Sequence, residues 1–225
     1  MKSICGMAIL FAAFVLTGFS CSNDKDENEP KKKEGKSMEL NTSNESMWTY
    51  VNLETGDTCM ARDFSAWNYY KVDMEKGTKT LLSTKPTEGK ESDLKLKKWH
   101  LAFHYYDIKT NGGEAVVVKD AKSIGDVKKI PGSGFEGDVE IKDKLVVDKK
   151  GMMRSEMGYA ANAMVNEVLG GWVKKLGGMP PEYELKDVVF VVKFKEGGHA
   201  VLKFTDYRNN FGKNGHVKFS YDYVK

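Results

Sequence analysis

A chain of 225 residues with 40% hydrophobic and 11% aromatic side chains has room for one ordinary domain with a sizeable core, which excludes a fibrous or wholly disordered protein. The formal charge of +3, from 35 basic and 32 acidic residues, argues against a dedicated nucleic-acid binder, in which a clustered basic face is expected.

Residues 1–20, MKSICGMAILFAAFVLTGFS, read as a secretory signal peptide, basic at Lys2 and apolar from Met7 to Leu16, too short to span a membrane comfortably. Gly18 and Ser20 just before Cys21 resemble a bacterial lipobox, loosened by Phe19, in which the cysteine is acylated and becomes the new N-terminus. An ordinary cleaved signal is the alternative. Several acyl chains, each contributing about 0.8 kcal/mol per buried methylene, would anchor the protein through lipid alone. Residues 21–45 have no periodic apolar pattern and many charges, so they are expected to form a flexible tether. The run Ser22-Asn23-Asp24-Lys25-Asp26-Glu27 resembles the acidic signal that sends Bacteroides-group lipoproteins to the outer face of the cell. With Cys5 lost in the signal and Cys21 lipidated, Cys59 stands alone and no intramolecular disulfide is available.

Residues 46–225 are expected to form a β domain. Met47 to Val51 and Phe64 to Val72 are aromatic and β-branched runs bounded by Gly, Asn or Asp, and both predict strands. Glu75 to Lys98, with Gly77, Pro86 and Gly89, reads as a hairpin with a long loop. Trp99 to Ile108 is nearly continuous in apolar residues, as in a strand covered on both faces, and Thr110-Asn111-Gly112-Gly113 closes it with a turn. Ala115 to Val118 is a short partner, and Val139 to Val147 alternates with period two. Met153, Met157, Ala160, Met164, Val165 and Val168 recur at helical spacing and predict one short helix stopped by Gly170-Gly171, with Met157 and Met164 in the core. Val188 to Val192, Ala200 to Tyr207 and His216 to Tyr223, separated by Gly-rich turns, read as an antiparallel meander. The fold class is therefore all-β: antiparallel sheets and one short helix.

Motifs for catalysis are absent: there is no G-x-S-x-G, H-E-x-x-H, paired-cysteine or phosphate-loop pattern. Of the four histidines, His100 and His104 would lie about 13 Å apart on a strand, too far to share an ion. His104 reads as a core histidine with a bonded ring, and His199 and His216 as exposed turn residues. The carboxylates lie mostly among lysines and read as solvated faces.

Residues 151–181 hold five of the eleven methionines. A thioether can fill a core or act as a soft, neutral metal ligand. Met152 follows the turn Lys149-Lys150-Gly151, and Met179 sits in Gly177-Gly178-Met179-Pro180-Pro181, where glycines admit close approach and prolines stiffen the chain. An apolar residue so placed needs cover from the core, a partner chain or a ligand. A different reading takes Trp48, Trp67 and Trp99 as sugar platforms of a surface glycan-binding lipoprotein, and a third is an adhesion module.

Trp99-His100-Leu101-Ala102-Phe103-His104-Tyr105-Tyr106-Asp107-Ile108-Lys109-Thr110-Asn111 resembles the signature of the HmuY-like haem-binding lipoproteins of the Bacteroides group. Gly170-Gly171-Trp172, Lys203-Phe204-Thr205-Asp206-Tyr207 and Val217-Lys218-Phe219-Ser220-Tyr221-Asp222-Tyr223 are similar too, in the same order, so the likeness covers Met47 to Lys225. It implies an all-β fold that grips haem between two long loops, captures it outside the cell, from host haemoproteins among other sources, and passes it to a TonB-dependent outer-membrane receptor, without being an enzyme. The family pattern has two axial histidines. Here Met152 stands where the first would be, with neighbouring Met153 the alternative, and Met179 lies two residues past the second, where this chain has Gly177. The resemblance thus implies haem iron held by Met152 and Met179, with Lys149, Lys150, Arg154, Lys174 and Lys175 as candidate propionate partners.

Overall fold

In the last strand, Asn214–Val224, Val217, Phe219 and Tyr221 are buried while His216, Lys218 and Ser220 lie half-exposed between them, and this alternation fixes which face meets the core. The computed structural model describes residues 35–73, 75–178 and 181–225; the signal peptide, Cys21 and Met179 lie outside the described residues. Asn214–Val224 pairs antiparallel with His199–Arg208, which pairs with Val189–Lys193, as the meander reading requires. Gly198 in the intervening turn has φ +78, and a Cβ there would sit 2.6 Å from the Val224 carbonyl oxygen, so the turn admits only glycine.

The sheet continues through Glu114–Val118 to Glu136–Gly137, and its other edge is Lys36–Asn41 paired on Asn214–Val224. That edge corrects the expectation of a tether running to residue 45. Lys36–Asn41 has one fully buried side chain, Leu40, opposite Val217; too little to show as a pattern, it suffices once a neighbouring strand supplies the ladder.

A second sheet has the order Thr58–Arg62, Met47–Val51, Leu101–His104, Asp107–Thr110, all antiparallel. The run from Trp99 to Ile108 is thus a tight hairpin rather than one strand. Tyr105 turns it at φ +53, and both its backbone groups are held by Thr42: its N–H donates to the Thr42 carbonyl at 3.1 Å, and the Thr42 hydroxyl donates to its carbonyl at 2.6 Å. No Gly or Asn announces this turn.

The third sheet, Val146–Asp148, Glu156–Ala160, Trp67–Asp73 and Thr78–Lys85, replaces most of the expected helix. Gly158 explains why: a Cβ there would lie 3.0 Å from Asp148 Cβ and 3.1 Å from the Tyr69 ring, so its missing side chain lets the strands close beneath that ring. Met157 is half-buried, and Met164, on the short strand Ala163–Val165, is exposed rather than packed. Among the described residues the one α-helix is the four-residue Glu167–Gly170, capped by Asn166, whose side chain accepts the Leu169 N–H at 3.0 Å. Val139–Ile141 and Val146–Asp148 are likewise separate strands, parted by Asp143 at φ +53, and Val173–Gly177 pairs with Glu182–Leu185 as an outlying hairpin. The all-β class holds.

The main core lies where the first two sheets face each other. Phe103 stacks on Phe219 at 5.6 Å, and Trp172, fully buried, stacks on Phe204 at 4.6 Å while its indole N–H donates to the Tyr106 carbonyl at 3.0 Å. Trp172→Ala removes this packing and leaves the Tyr106 carbonyl buried without its donor; a loss of about 3–5 kcal/mol is expected, read as a lower urea midpoint at unchanged slope.

Candidate ligand-binding site

Met152 stands on a loop that is short and tightly bonded. The turn Met152–Arg154 is 3₁₀, not extended: the Arg154 N–H donates to the Gly151 carbonyl at 2.8 Å, as does the Glu156 N–H at 3.0 Å. Ser155, at φ +57, donates its N–H to the Met152 carbonyl at 2.9 Å. A Cβ on Gly151 would lie 2.8 Å from Glu156 Cβ, so the closure needs glycine. This frame leaves Met152 55% and Met153 94% exposed, two large apolar side chains on a stiff tip.

In sequence, Met179 falls between the paired strands Val173–Gly177 and Glu182–Leu185. Gly177 and Gly178 have φ +104 and +84, and Met179 itself lies outside the described residues. Leu176, just before the turn, is 54% exposed.

A bed of tyrosines adjoins the bases of both loops. Lys149, preceding the Met152 turn, holds its ammonium 5.3 Å over the Tyr105 ring. Tyr105 meets Tyr106 at 4.5 Å, Tyr106 meets Tyr183 edge-on at 4.7 Å, and Tyr183 is on the strand Glu182–Leu185, opposite Lys175. Tyr207 locks the group: its hydroxyl donates to the Tyr183 carbonyl at 3.0 Å, and its own carbonyl accepts the Tyr106 hydroxyl at 2.8 Å. Burial raises the Tyr105 and Tyr183 phenols above their ordinary value, so both stay neutral donors at physiological pH. These tyrosines come from several separate elements; Tyr105, Tyr106 and Tyr207 stand in the family-like motifs with no role assigned to them there, and Tyr183 had no signal in the sequence. Only the left-handed turn at Tyr105 marks the place, and it is visible only in the fold.

The basic candidates divide. Arg154 is spent on Glu156 at 3.1 Å, and Lys174 stands opposite Glu184 in the ladder. Lys149 and Lys175 have no ion-pair partner among the described residues. His104 is buried and its Nε2 lies 2.6 Å from the Glu45 carbonyl, the bonded core histidine expected. His199 and His216 are corrected: both lie on strands and are half-buried, and His216 Nδ1 is 3.8 Å from Glu39. Of the three candidate sugar platforms, Trp48 and Trp67 are core residues, tied to Asp63 at 2.9 Å and covered by Arg62 at 4.3 Å respectively, while Trp99 is half-buried. Asp63, 4% exposed, departs from the expectation that the carboxylates are solvated.

Antiparallel sheets with an exposed methionine turn next to an aromatic bed define the class: a β protein with two large apolar side chains presented at its surface. The chain belongs to the HmuY family; residues 44–221 match the model for HmuY protein. It is 42% identical to the apo HmuY analog of Tannerella forsythia, with a TM-score of 0.75 over 87% of this chain and 100% of that one. Apo PinO of Porphyromonas gingivitis is 30% identical, with a TM-score of 0.76 over 86% and 98%. A Bacteroides vulgatus protein provisionally described as HmuY-like and heme binding shares the fold at 23% identity and a TM-score of 0.63, over 86% and 93%. No curated protein matches.

Proposed function

We propose that this protein is a haem carrier of the cell surface, whose iron ligands are Met152 and Met179. The observation that carries the reading is the 55% exposed Met152 on a stiff turn beside Tyr105, in a chain of the HmuY family. An exposed thioether on a tightly bonded loop is a ligand held ready, and the tyrosine bed offers an apolar rest for one face of a porphyrin. Lys149 and Lys175, unpaired among the described residues, would meet the propionates. Residues 1–20 would direct export, Cys21 would carry the lipid, and the loaded protein would hand haem to a TonB-dependent outer-membrane receptor after taking it from host haemoproteins.

The test is a titration of haem into the protein, oxidised and then reduced with dithionite. A Soret band that shifts and saturates at one equivalent, tighter in the reduced state, is the expected result. Spectra that remain those of free haem in both states would sink the proposal.

A further inference from the structure

We infer that the cavity beside Lys109 is a second binding site, one for a neutral pyranose sugar. The cavity encloses about 720 Å³, within the roughly 300–1,000 Å³ usual for small-molecule sites, and shares no lining residue with the Met152 turn or the tyrosine bed. Trp48, Phe64 and Trp99 line it with Lys109, and the exposed Asn162 and Glu140 also belong to its lining.

Lys109 is the unusual member. Its ammonium lies 4.1 Å over the Trp48 ring, 5.2 Å from Tyr50 and 5.9 Å from Trp99, caged by aromatic rings. Among the described residues its one hydrogen-bond acceptor is the Tyr50 hydroxyl at 3.3 Å, and it makes no ion pair. An ammonium has three donors, so two remain for whatever enters the cavity. Burial lowers its pKa to about 8, against the pull of Asp63 and Asp138.

Those carboxylates are already committed. Asp63 accepts from the Trp48 indole at 2.9 Å, the Ser65 N–H at 3.0 Å and the Ser65 hydroxyl. Asp138 accepts from the Thr110 N–H at 2.8 Å, its hydroxyl at 3.0 Å and the Asn166 amide at 3.2 Å. They balance the lysine charge without touching it, so the cavity does not call for an anion, and Glu140 in its lining repels one. What fits is a neutral molecule with hydroxyls that accept from Lys109 and donate to Glu140 or Asn162, and a C–H face to lay on an aromatic ring. Trp99 supplies that ring, held edge-to-face by Tyr50 at 5.0 Å. A pyranose has both features.

Tryptophan fluorescence of the full mature chain, titrated with galactose, mannose and N-acetylglucosamine, tests this. At least one sugar should give a saturable change that Trp99→Ala, Lys109→Met and the exposed-residue variant Asn162→Ala each weaken, the first two about tenfold or more. Circular dichroism and urea midpoints identify any variant that has unfolded; Asn162, being exposed, can be replaced without loss of core. No saturable change with any of the three sugars, equal or tighter binding of glucuronic acid or free amino acids, or binding unaltered in folded variants would overturn the site. None of these readouts depends on haem.

Discussion

Exchanging Met152 and Met179 together for histidine is expected to reverse the redox preference of haem binding. The wild type, on the ligand assignment above, holds reduced haem more tightly, because a neutral, soft thioether favours ferrous iron, whereas imidazole stabilises the ferric state. The ratio of oxidised to reduced dissociation constants should therefore shift by about tenfold or more toward ferric binding in the double variant. Soret and visible titrations with and without dithionite measure it directly. A second difference should accompany the first: thioether has no proton to lose, so wild-type binding of reduced haem should hold between pH 7.5 and 6, while the histidine variant weakens as imidazole protonates near its ordinary value of about 6.5. Met153→Ala separates the two neighbours. Both lie exposed in one 3₁₀ turn, so the family position of Met152, and not the geometry, is what favours it. A double-histidine variant that keeps the ferrous preference, or a Met153→Ala change that abolishes binding while Met152→Ala leaves it intact, would overturn the assignment.

How far the sequence disclosed this depended on whether one interaction or several decided each element. The strand Asn214–Val224 was legible because three large side chains repeat at period two and burial of one face forces the outcome. The stretch around Gly158 was not, because its apolar residues satisfy both the helical and the strand period, and the deciding contact is with Tyr69, far away in sequence. The hairpin at Tyr105 was hidden for a similar reason: Thr42 holds the left-handed turn, so no glycine is needed and none signals it. Met152 could be singled out through a family pattern, whereas Tyr183 could not, and Tyr207 was legible only as part of a motif, since the role of both is created by Tyr106 in a distant turn. Lys109 had no role assigned to it in the sequence beyond its place in a motif. Only the fold shows three aromatic rings around its ammonium.

Acid should destabilise the fold itself, chiefly through His100. The ring is 2% exposed, packed against Phe194 at 4.7 Å and Tyr223 at 4.9 Å. Its Nδ1 accepts the Leu53 N–H at 3.0 Å, which requires the neutral tautomer with its proton on Nε2. Protonation would cancel that bond and leave a charge among aromatic rings. Burial, reinforced by Lys98 and opposed by Glu54 and Glu196, lowers the pKa to about 4. The folded value thus lies below the unfolded one of about 6.5, so between the two the unfolded chain binds more protons and stability rises with pH. Stability is full above about pH 6.5, declines as pH falls, and levels off below about pH 4 after a loss on the order of 3 kcal/mol. His104, lowered by burial against the pull of the Glu45 carbonyl, adds to the same decline. Glu54, held low by Lys98 and Lys225, begins to contribute only in the carboxylate range, and replacing the histidines leaves it in place. His100→Gln keeps an acceptor for Leu53 without a titrating group, so urea unfolding from pH 7 to 4 should show a shallower slope, shallower still with His104→Gln added. Equal slopes for the wild type and both variants would place the acid sensitivity elsewhere.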